Sequence, residues 1–183
     1  MDEKCIFCAI VAKKIPSLKV YEDDKFIAFL DIRPLTEGHV QVVSKNHYRW
    51  TYDVPEFGNY WEVARKIAFA QMNSLNAKYV QFLTAGMGVH HAHIHVVPRY
   101  DDDGHGEYLD PNKVKQISEP RYKEIMQTLK SSLSDSSYEQ PAVVEHVKER
   151  KPRKPRSDIG SRRTRRKRTK DTDSWLKREL AQT

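Results

Sequence analysis

The stretch from His91 to Tyr100 reads HAHIHVVPRY and predicts a β-strand with two different faces. Residues two positions apart in a strand share a face, so all three histidines are expected on one side and the apolar residues between them on the core side. We expect this strand to run from His91 to Val97 and to end at Pro98, because proline has no N–H to continue a ladder. An outer strand face more often carries Thr, Lys, Glu or Ser. Three aligned histidines therefore indicate a functional site.

Four more strands are predicted, all of them before the histidine strand in the sequence. Short runs rich in β-branched and aromatic residues, bounded by polar turns, place them at 20–22, 26–30, 40–44 and 79–84. Apolar residues at three- and four-residue steps predict one long helix from Phe57 to Leu75 and a shorter C-terminal helix after Ser118. Strands in runs with helices interposed are typical of an α+β domain with an antiparallel, here five-stranded, sheet. We assign this domain to residues 1–134.

The remaining residues, 135–183, are rich in Ser, Pro, Lys and Arg, and we predict a largely disordered tail. Residues 148–170 hold 13 Lys or Arg and two acids, which leaves 19 basic and 23 acidic residues in the rest of the chain. The net charge of +7 therefore belongs to the tail. Non-specific binding of RNA, DNA or another polyanion through residues 148–170 is one interpretation, and a merely solvated tail is the other.

Length and composition limit the number of domains and the cellular locations that this chain is expected to have. A chain of 183 residues suits one ordinary domain. No apolar stretch approaches the roughly 18 residues of a membrane span, and the polar N-terminus lacks the profile of a secretory signal. We therefore predict a cytoplasmic protein without a membrane partner. In a eukaryotic cell the basic run would also serve as a nuclear import signal.

The loop before the histidine strand contains two glycines, Gly86 and Gly88. Glycines let backbone N–H groups approach an anion closely, so the loop predicts a nest for phosphate oxygens. Two chemistries are open for the histidines beside it. They present imidazoles to a metal ion, as in a metallohydrolase, or one of them attacks phosphorus as a neutral imidazole near pH 7. The adjacent glycine loop favours the second.

Histidines at alternate positions, followed by two apolar residues and Pro98-Arg99-Tyr100, resemble the signature of the histidine-triad (HIT) family. The N-terminal half resembles bacterial HIT hydrolases of the purine-nucleoside phosphoramidase type in several blocks. These blocks are CIFCAIV at 5–11, IP at 15–16, VYED at 20–23, AFLDI at 28–32, GH at 38–39 and VVSKNH at 42–47. The resemblance spans roughly residues 4–108 and implies the HIT-like fold.

The resemblance implies a nucleotide hydrolase or nucleotidyl transferase that cleaves nucleoside phosphoramidates or (di)nucleoside polyphosphates. His93 would attack the α-phosphorus of a purine nucleotide and form a covalent nucleotidyl-histidine, and His95 would donate a hydrogen bond to the phosphate. Asp31 would bind the ribose hydroxyls. The backbone of Gly86, Gly88 and Val89 would hold the phosphate. An apolar slot for the base would consist of Ile6, Phe7, Ile10, Ile15 and Ile32, although plain core packing is the alternative for any one of them.

The resemblance also implies a homodimer, since HIT domains commonly pair through the long helix and a central strand. An alternative function is a weakly active nucleotide-binding protein that its basic tail recruits to nucleic acid.

Cys5 and Cys8 form a Cys-x-x-Cys pair at the N-terminus. A redox motif would normally follow a strand and open a helix of a βαβ unit, which this position does not match. In zinc-bearing HIT proteins the corresponding positions, here Cys5, Cys8, His47 and His91, form a structural zinc site. A four-ligand shell of this kind is closed and therefore structural. Two free thiols are the alternative.

The loop from Gln81 to Gly88 departs from the family pattern. It has no asparagine, Met87 stands where the family has glutamine, and Gly88 replaces the usual hydroxyl residue. Each missing side-chain donor matters by a few kcal/mol in the transition state. We therefore predict slow turnover or an atypical leaving group.

Overall fold

The structure is a computed structural model, which describes residues 4–134. Its elements in chain order are α1 (Ile6–Val11), β1 (Lys19–Glu22), β2 (Phe26–Leu30), β3 (Val40–Ser44), α2 (Phe57–Leu75), β4 (Tyr79–Leu83), β5 (His93–Arg99) and α3 (Glu119–Ser134), with a 3-10 turn at Thr51–Asp53. The predicted α+β domain with an antiparallel five-stranded sheet, one long helix and a C-terminal helix is confirmed.

The strand order in the sheet is β1-β2-β3-β5-β4. This order places the histidine strand β5 between β3 and β4, although 48 residues separate the end of β3 from its start in sequence. In the β3–β5 register, Val43 lies opposite His93 and Gln41 opposite His95. Side chains from the first half of the chain are thereby brought against the triad.

Both faces of the sheet are covered. One face packs on α2 and α3 through a core that includes Ala92, Ile94 and Val96, the residues alternating with the histidines. The other face packs on the short helix α1 in a second cluster that includes Cys5, Phe7 and Val43. Because of this second layer, all five residues of β2 are buried.

The bounds of β5 differ from our expectation. The strand begins at His93, not at His91, and continues through Pro98 to Arg99. The Pro98 carbonyl accepts a hydrogen bond from the Thr36 hydroxyl (2.6 Å), on the side where pairing with β3 has ended at Val96. In an antiparallel strand the N and O of one residue point to the same side. The Pro98 nitrogen therefore also points to the side where β3 no longer pairs. Among the described residues, no strand on that side needs an N–H from Pro98.

Helix α1 was not predicted, because its six residues are too few for an apolar period to be recognised from the sequence. Within residues 4–134, no helix is long and apolar enough to cross a bilayer. The predicted tail and its basic run, residues 148–170, lie outside the described residues.

Candidate active site

His93 is the first residue of β5, and its side chain is only 6% exposed. Its Nδ1 lies 2.6 Å from the backbone oxygen of His91. A carbonyl oxygen can only accept, so the ring donates its Nδ1–H and Nε2 keeps a lone pair. Burial lowers the pKa of His93, which keeps the ring neutral at neutral pH. The Nε2 atom is therefore available as a nucleophile.

His95 follows on the same face, with its ring centroid 4.9 Å from that of His93. Its Nδ1 lies 3.0 Å from Nε2 of His39, whose own Nδ1 accepts a hydrogen bond from the backbone N–H of Leu35 (3.2 Å). A neutral imidazole carries one proton, so His39 must hold it on Nε2 and donate it to His95. His95 then holds its own proton on Nε2, where it can donate to a substrate oxygen.

Burial also lowers the pKa of both His39 and His95, and both rings are therefore uncharged at neutral pH. The sequence marks His39 only as part of a block that resembles the family, and it predicts no role for this residue. A single histidine 56 positions from its partner carries no local signal of this contact. A left-handed turn at Gly38 (φ +83°) leads into His39, and a Cβ at this glycine would clash with the Leu75 side chain.

Asp31 lies beside this pair, with its Oδ2 3.6 Å from His39 Nε2 and 3.7 Å from His95 Nδ1. Its Oδ1 accepts from the backbone N–H of Arg33 (2.8 Å), and its Oδ2 accepts from the amide Nε2 of Gln41 (2.6 Å). Gln41 is a second residue that the sequence analysis did not single out. These donors hold the carboxylate at the wall of an adjoining cavity.

That cavity has a volume of about 570 Å³, enough for a nucleoside, and a mainly apolar lining. It brings together Asp31, Val89 and all five residues that were predicted to form the base slot: Ile6, Phe7, Ile10, Ile15 and Ile32. The centroid of the Phe7 ring lies 5.2 Å from that of the His93 ring, so the cavity lies next to this histidine. Residues of α3, among them Tyr122, also line it and were not predicted.

The two loop glycines lie apart from this cavity. Gly86 is buried, and a Cβ there would overlap the indole ring of Trp50, which explains why a glycine is needed. Gly88 is exposed with open space around its Cα. Neither glycine has a positive φ, so they do not form the alternating right- and left-handed backbone of an anion nest.

Cys5, Cys8, His47 and His91 form a compact cluster whose ligand atoms all lie within 4.8 Å of one another. Cys5 Sγ is 3.3 Å from His91 Nδ1, and Cys8 Sγ is 3.2 Å from His47 Nδ1. His91 donates its Nε2–H to the backbone oxygen of Ser44 (2.7 Å), which leaves the Nδ1 lone pair directed at the sulfurs. Two thiols and two imidazole nitrogens are a donor set that fits tetrahedral zinc.

A second cluster, Asp31, His39 and His95, has similar spacing but does not fit a metal ion. The Leu35 N–H occupies the lone pair of His39 Nδ1, so the ring proton resides on Nε2, the atom that would have to bind the metal. Because His91 belongs to the other cluster, the three triad histidines do not converge on one ion. The geometry therefore does not support the metallohydrolase alternative.

Comparison with known proteins identifies the family to which this chain belongs. The family model of the HIT domain matches residues 12–102. An uncharacterized HIT-like protein of Borreliella burgdorferi is 39% identical over 130 residues, which are 66% of this chain and 92% of the relative. The chain belongs to the histidine-triad family.

Two further HIT proteins, one curated relative and one solved structure, are also similar to this chain. The adenosine 5'-monophosphoramidase of Saccharomyces cerevisiae is 33% identical over 105 residues, which cover 56% of this HIT protein and 66% of the yeast one. The crystal structure of a zinc-bound HIT family protein from Mycobacterium smegmatis has a TM-score of 0.59 and 33% identity, over 71% of this chain and 93% of that chain. The predicted family, fold and enzyme class, a HIT-type hydrolase, are confirmed.

Proposed function

We propose that this protein is a nucleotide hydrolase or nucleotidyl transferase that acts on nucleoside phosphoramidates or (di)nucleoside polyphosphates through a covalent nucleotidyl-His93 intermediate. The observation that carries the proposal is the hydrogen bond from His93 Nδ1 to the His91 carbonyl (2.6 Å). It orients a neutral Nε2 next to a cavity of nucleoside size.

In the first step, the lone pair of His93 Nε2 forms a bond to the α-phosphorus, and the bond to the leaving group breaks with its electron pair. His95 donates its Nε2–H to a phosphate oxygen as negative charge grows there. In the second step, a water oxygen forms a bond to the same phosphorus while the bond from phosphorus to His93 Nε2 breaks, returning its electron pair to the ring. The nucleotide is released with the water oxygen, and a proton of the water passes to solvent. Dividing the reaction in this way replaces one hard step by two easier ones.

The nucleoside half of the substrate is assigned to the cavity. Asp31 accepts hydrogen bonds from the ribose hydroxyls, and the apolar walls around Phe7 hold a purine base. The phosphate is assigned to the space in front of His93 and His95, next to the loop that contains Gly86, Gly88 and Val89.

Trapping the intermediate tests this function. With an adenylyl donor such as adenosine 5'-phosphoramidate, the His95→Ala variant is expected to accumulate AMP on His93, because turnover of the intermediate is slowed. Intact-protein mass spectrometry measures the added AMP, and the His95→Ala/His93→Ala double variant is the control that should carry none. Tight AMP binding without an adduct or turnover would instead favour the alternative of a weakly active nucleotide-binding protein.

A second experiment tests the hydrogen-bond chain behind His95. The His39→Leu variant removes the donor to His95 Nδ1, so the His95 proton is no longer confined to Nε2, and kcat is expected to fall about 10²-fold at nearly constant KM. The matched variant His39→Gln places an amide N–H near the same point and should recover most of the rate. Equal loss in both variants would contradict the role of the donor.

We further propose a structural zinc ion on Cys5, Cys8, His47 and His91. The donor set and the His91–Ser44 hydrogen bond support it. When bound, zinc would supply no chemistry to the substrate but would join the N-terminus to the residue whose carbonyl orients His93.

A homodimer is proposed as well. β4 is an edge strand, and the half-exposed aromatic side chains of Phe57 and Phe82 flank Trp61 on the adjoining surface. An apolar edge strand of this kind, beside Phe57 and Trp61 of the long helix α2, favours pairing with a second copy. Analytical ultracentrifugation tests this assignment.

Three proposals rest on the sequence alone. They are the division into a domain at 1–134 and a tail at 135–183, polyanion binding through residues 148–170, and a cytoplasmic or, in a eukaryote, nuclear location. Deletion of the basic run, with RNA binding measured at low and high salt, tests the second of them.

A further inference from the structure

Residues 49–52 line a small cleft that is also lined by His93, the proposed nucleophile. The cleft has a volume of about 30 Å³, and Arg49, Trp50, Tyr52, Gly86 and His93 are among its lining residues. It is too small for more than about one water molecule. Any substrate group on this side of His93 must therefore lie across the rim of the cleft, where Arg49 and Tyr52 are exposed.

The aromatic part of this rim is held in place. Trp50 packs against Gly86, where no side chain would fit, and its backbone N–H donates to the Asp53 carboxylate (3.1 Å). The Tyr52 ring stacks on Trp50 with centroids 5.9 Å apart and an interplanar angle of 15°. Tyr52 is 70% exposed. The rim thus presents an ordered aromatic surface to solvent.

The rim also carries a positive charge. The Arg49 guanidinium carbon lies 5.1 Å from the centroid of the Trp50 ring, in cation–π contact. Among residues 4–134, no carboxylate forms an ion pair with Arg49. A guanidinium in this state favours an anion beside it and disfavours a protonated amine.

His93 therefore adjoins two different surroundings. The Phe7 ring, which contacts His93, lines the large cavity, whereas His93 itself lines the cationic, aromatic cleft, and no described residue lines both. With the nucleoside in the cavity and the phosphorus at His93 Nε2, the part of the substrate that is still unplaced is the leaving group. The loop from Thr84 to Val89 lacks side-chain amides, so groups on segment 49–52 are the nearby candidates to bind it.

We propose that Arg49, Trp50 and Tyr52 form a leaving-group subsite that selects an anionic leaving group ending in an aromatic base. This inference rests on the proposed function and names its preferred substrate class, dinucleoside polyphosphates rather than phosphoramidates. For diadenosine tetraphosphate, the His93–phosphorus bond forms as the bond to the bridging oxygen breaks, and ATP leaves with the electron pair. Water then cleaves the adenylyl-histidine, so the net products are AMP and ATP.

Three substrates that deliver the same adenylyl group test the subsite in the full-length protein. They are diadenosine tetraphosphate, with an anionic and aromatic leaving group, ATP, whose pyrophosphate is anionic only, and adenosine 5'-phosphoramidate, which releases ammonia. Tyr52→Ala is expected to lower kcat/KM about tenfold for the dinucleotide alone. Arg49→Gln is expected to lower it about tenfold for both anionic leaving groups and to leave the phosphoramidate within about twofold.

Arg49→Lys is the matched control and should keep most of the preference, because it retains the charge. The effect of Arg49→Gln should shrink as ionic strength rises. Equal losses on all three substrates would show that the segment acts only on the structure of the active site, and unchanged rates would show that leaving groups do not touch it. Either result overturns the subsite. A wild-type protein inactive on all three substrates would instead contradict the proposed function, and the subsite with it.

Discussion

His93→Ala is expected to lower kcat/KM for every adenylyl donor by at least about 10⁴-fold, the largest effect of any single substitution in this protein. The variant removes the atom that bonds to phosphorus. His95 and the nucleoside cavity cannot replace it, since the arrangement of rings leaves His95 as a donor through Nε2. Steady-state kinetics with adenosine 5'-phosphoramidate measures the loss.

Binding should survive this change. The dissociation constant of AMP is expected to stay within a few-fold of the wild-type value, because the cavity residues are untouched. His90→Ala is the matched control, since His90 is exposed and out of phase with the triad, and its activity should match the wild type within about twofold. Substantial activity in His93→Ala, with no adenylylated protein, would contradict a covalent mechanism.

Loss of the proposed zinc centre is expected to have the largest effect on stability. Three separate parts of the chain meet there, the start of α1, the loop after β3 and the residue that precedes β5 by two positions. An ion that binds only the folded state adds about 4 kcal/mol at a thousandfold excess over its dissociation constant. For a domain of this size, Cys8→Ser is therefore expected to lower Tm by roughly 10 °C or more.

The measurement pairs metal content with unfolding. Wild-type protein purified without chelator should carry one zinc ion per chain by elemental analysis, and Cys8→Ser should carry none. His39→Gln should keep the full zinc content, because the cluster of Asp31, His39 and His95 is not expected to bind metal. The His39 ring proton lies on Nε2, the atom that would have to bind the ion. Wild-type protein free of zinc, with a Tm that chelator does not change, would rule out the structural site.

The Cys–His cluster and the candidate active site are connected through His91. His91 belongs to the Cys–His cluster through its side chain and orients His93 through its backbone oxygen. Removing the proposed zinc ion is therefore expected to reduce kcat even where the fold persists at low temperature. The proposed nucleophile, His93, thus depends on His91, whose side chain belongs to the Cys–His cluster.

The sequence by itself determined most of the local structure. Helix α2 has the predicted bounds, Phe57–Leu75, because its apolar period extends over 19 residues. Strands β2 and β3 also match, because β-branched and aromatic runs between polar turns predict strands from local sequence alone. The triad, the Cys-x-x-Cys pair and their order along the chain identified the family, and the comparisons confirm that identification.

Only the tertiary structure decided which distant groups act together. His39 and Gln41 reach the triad because β3 pairs with β5 rather than with β4, the next strand in sequence, and no local pattern encodes that pairing. Trp50 reaches Gly86 in the same way, so a glycine predicted to bind phosphate makes room for an indole ring. The passage of β5 through Pro98 depends on where β3 ends. Side-chain periodicity is a property of neighbouring residues, whereas hydrogen-bond partners and proton positions depend on contacts across the sheet.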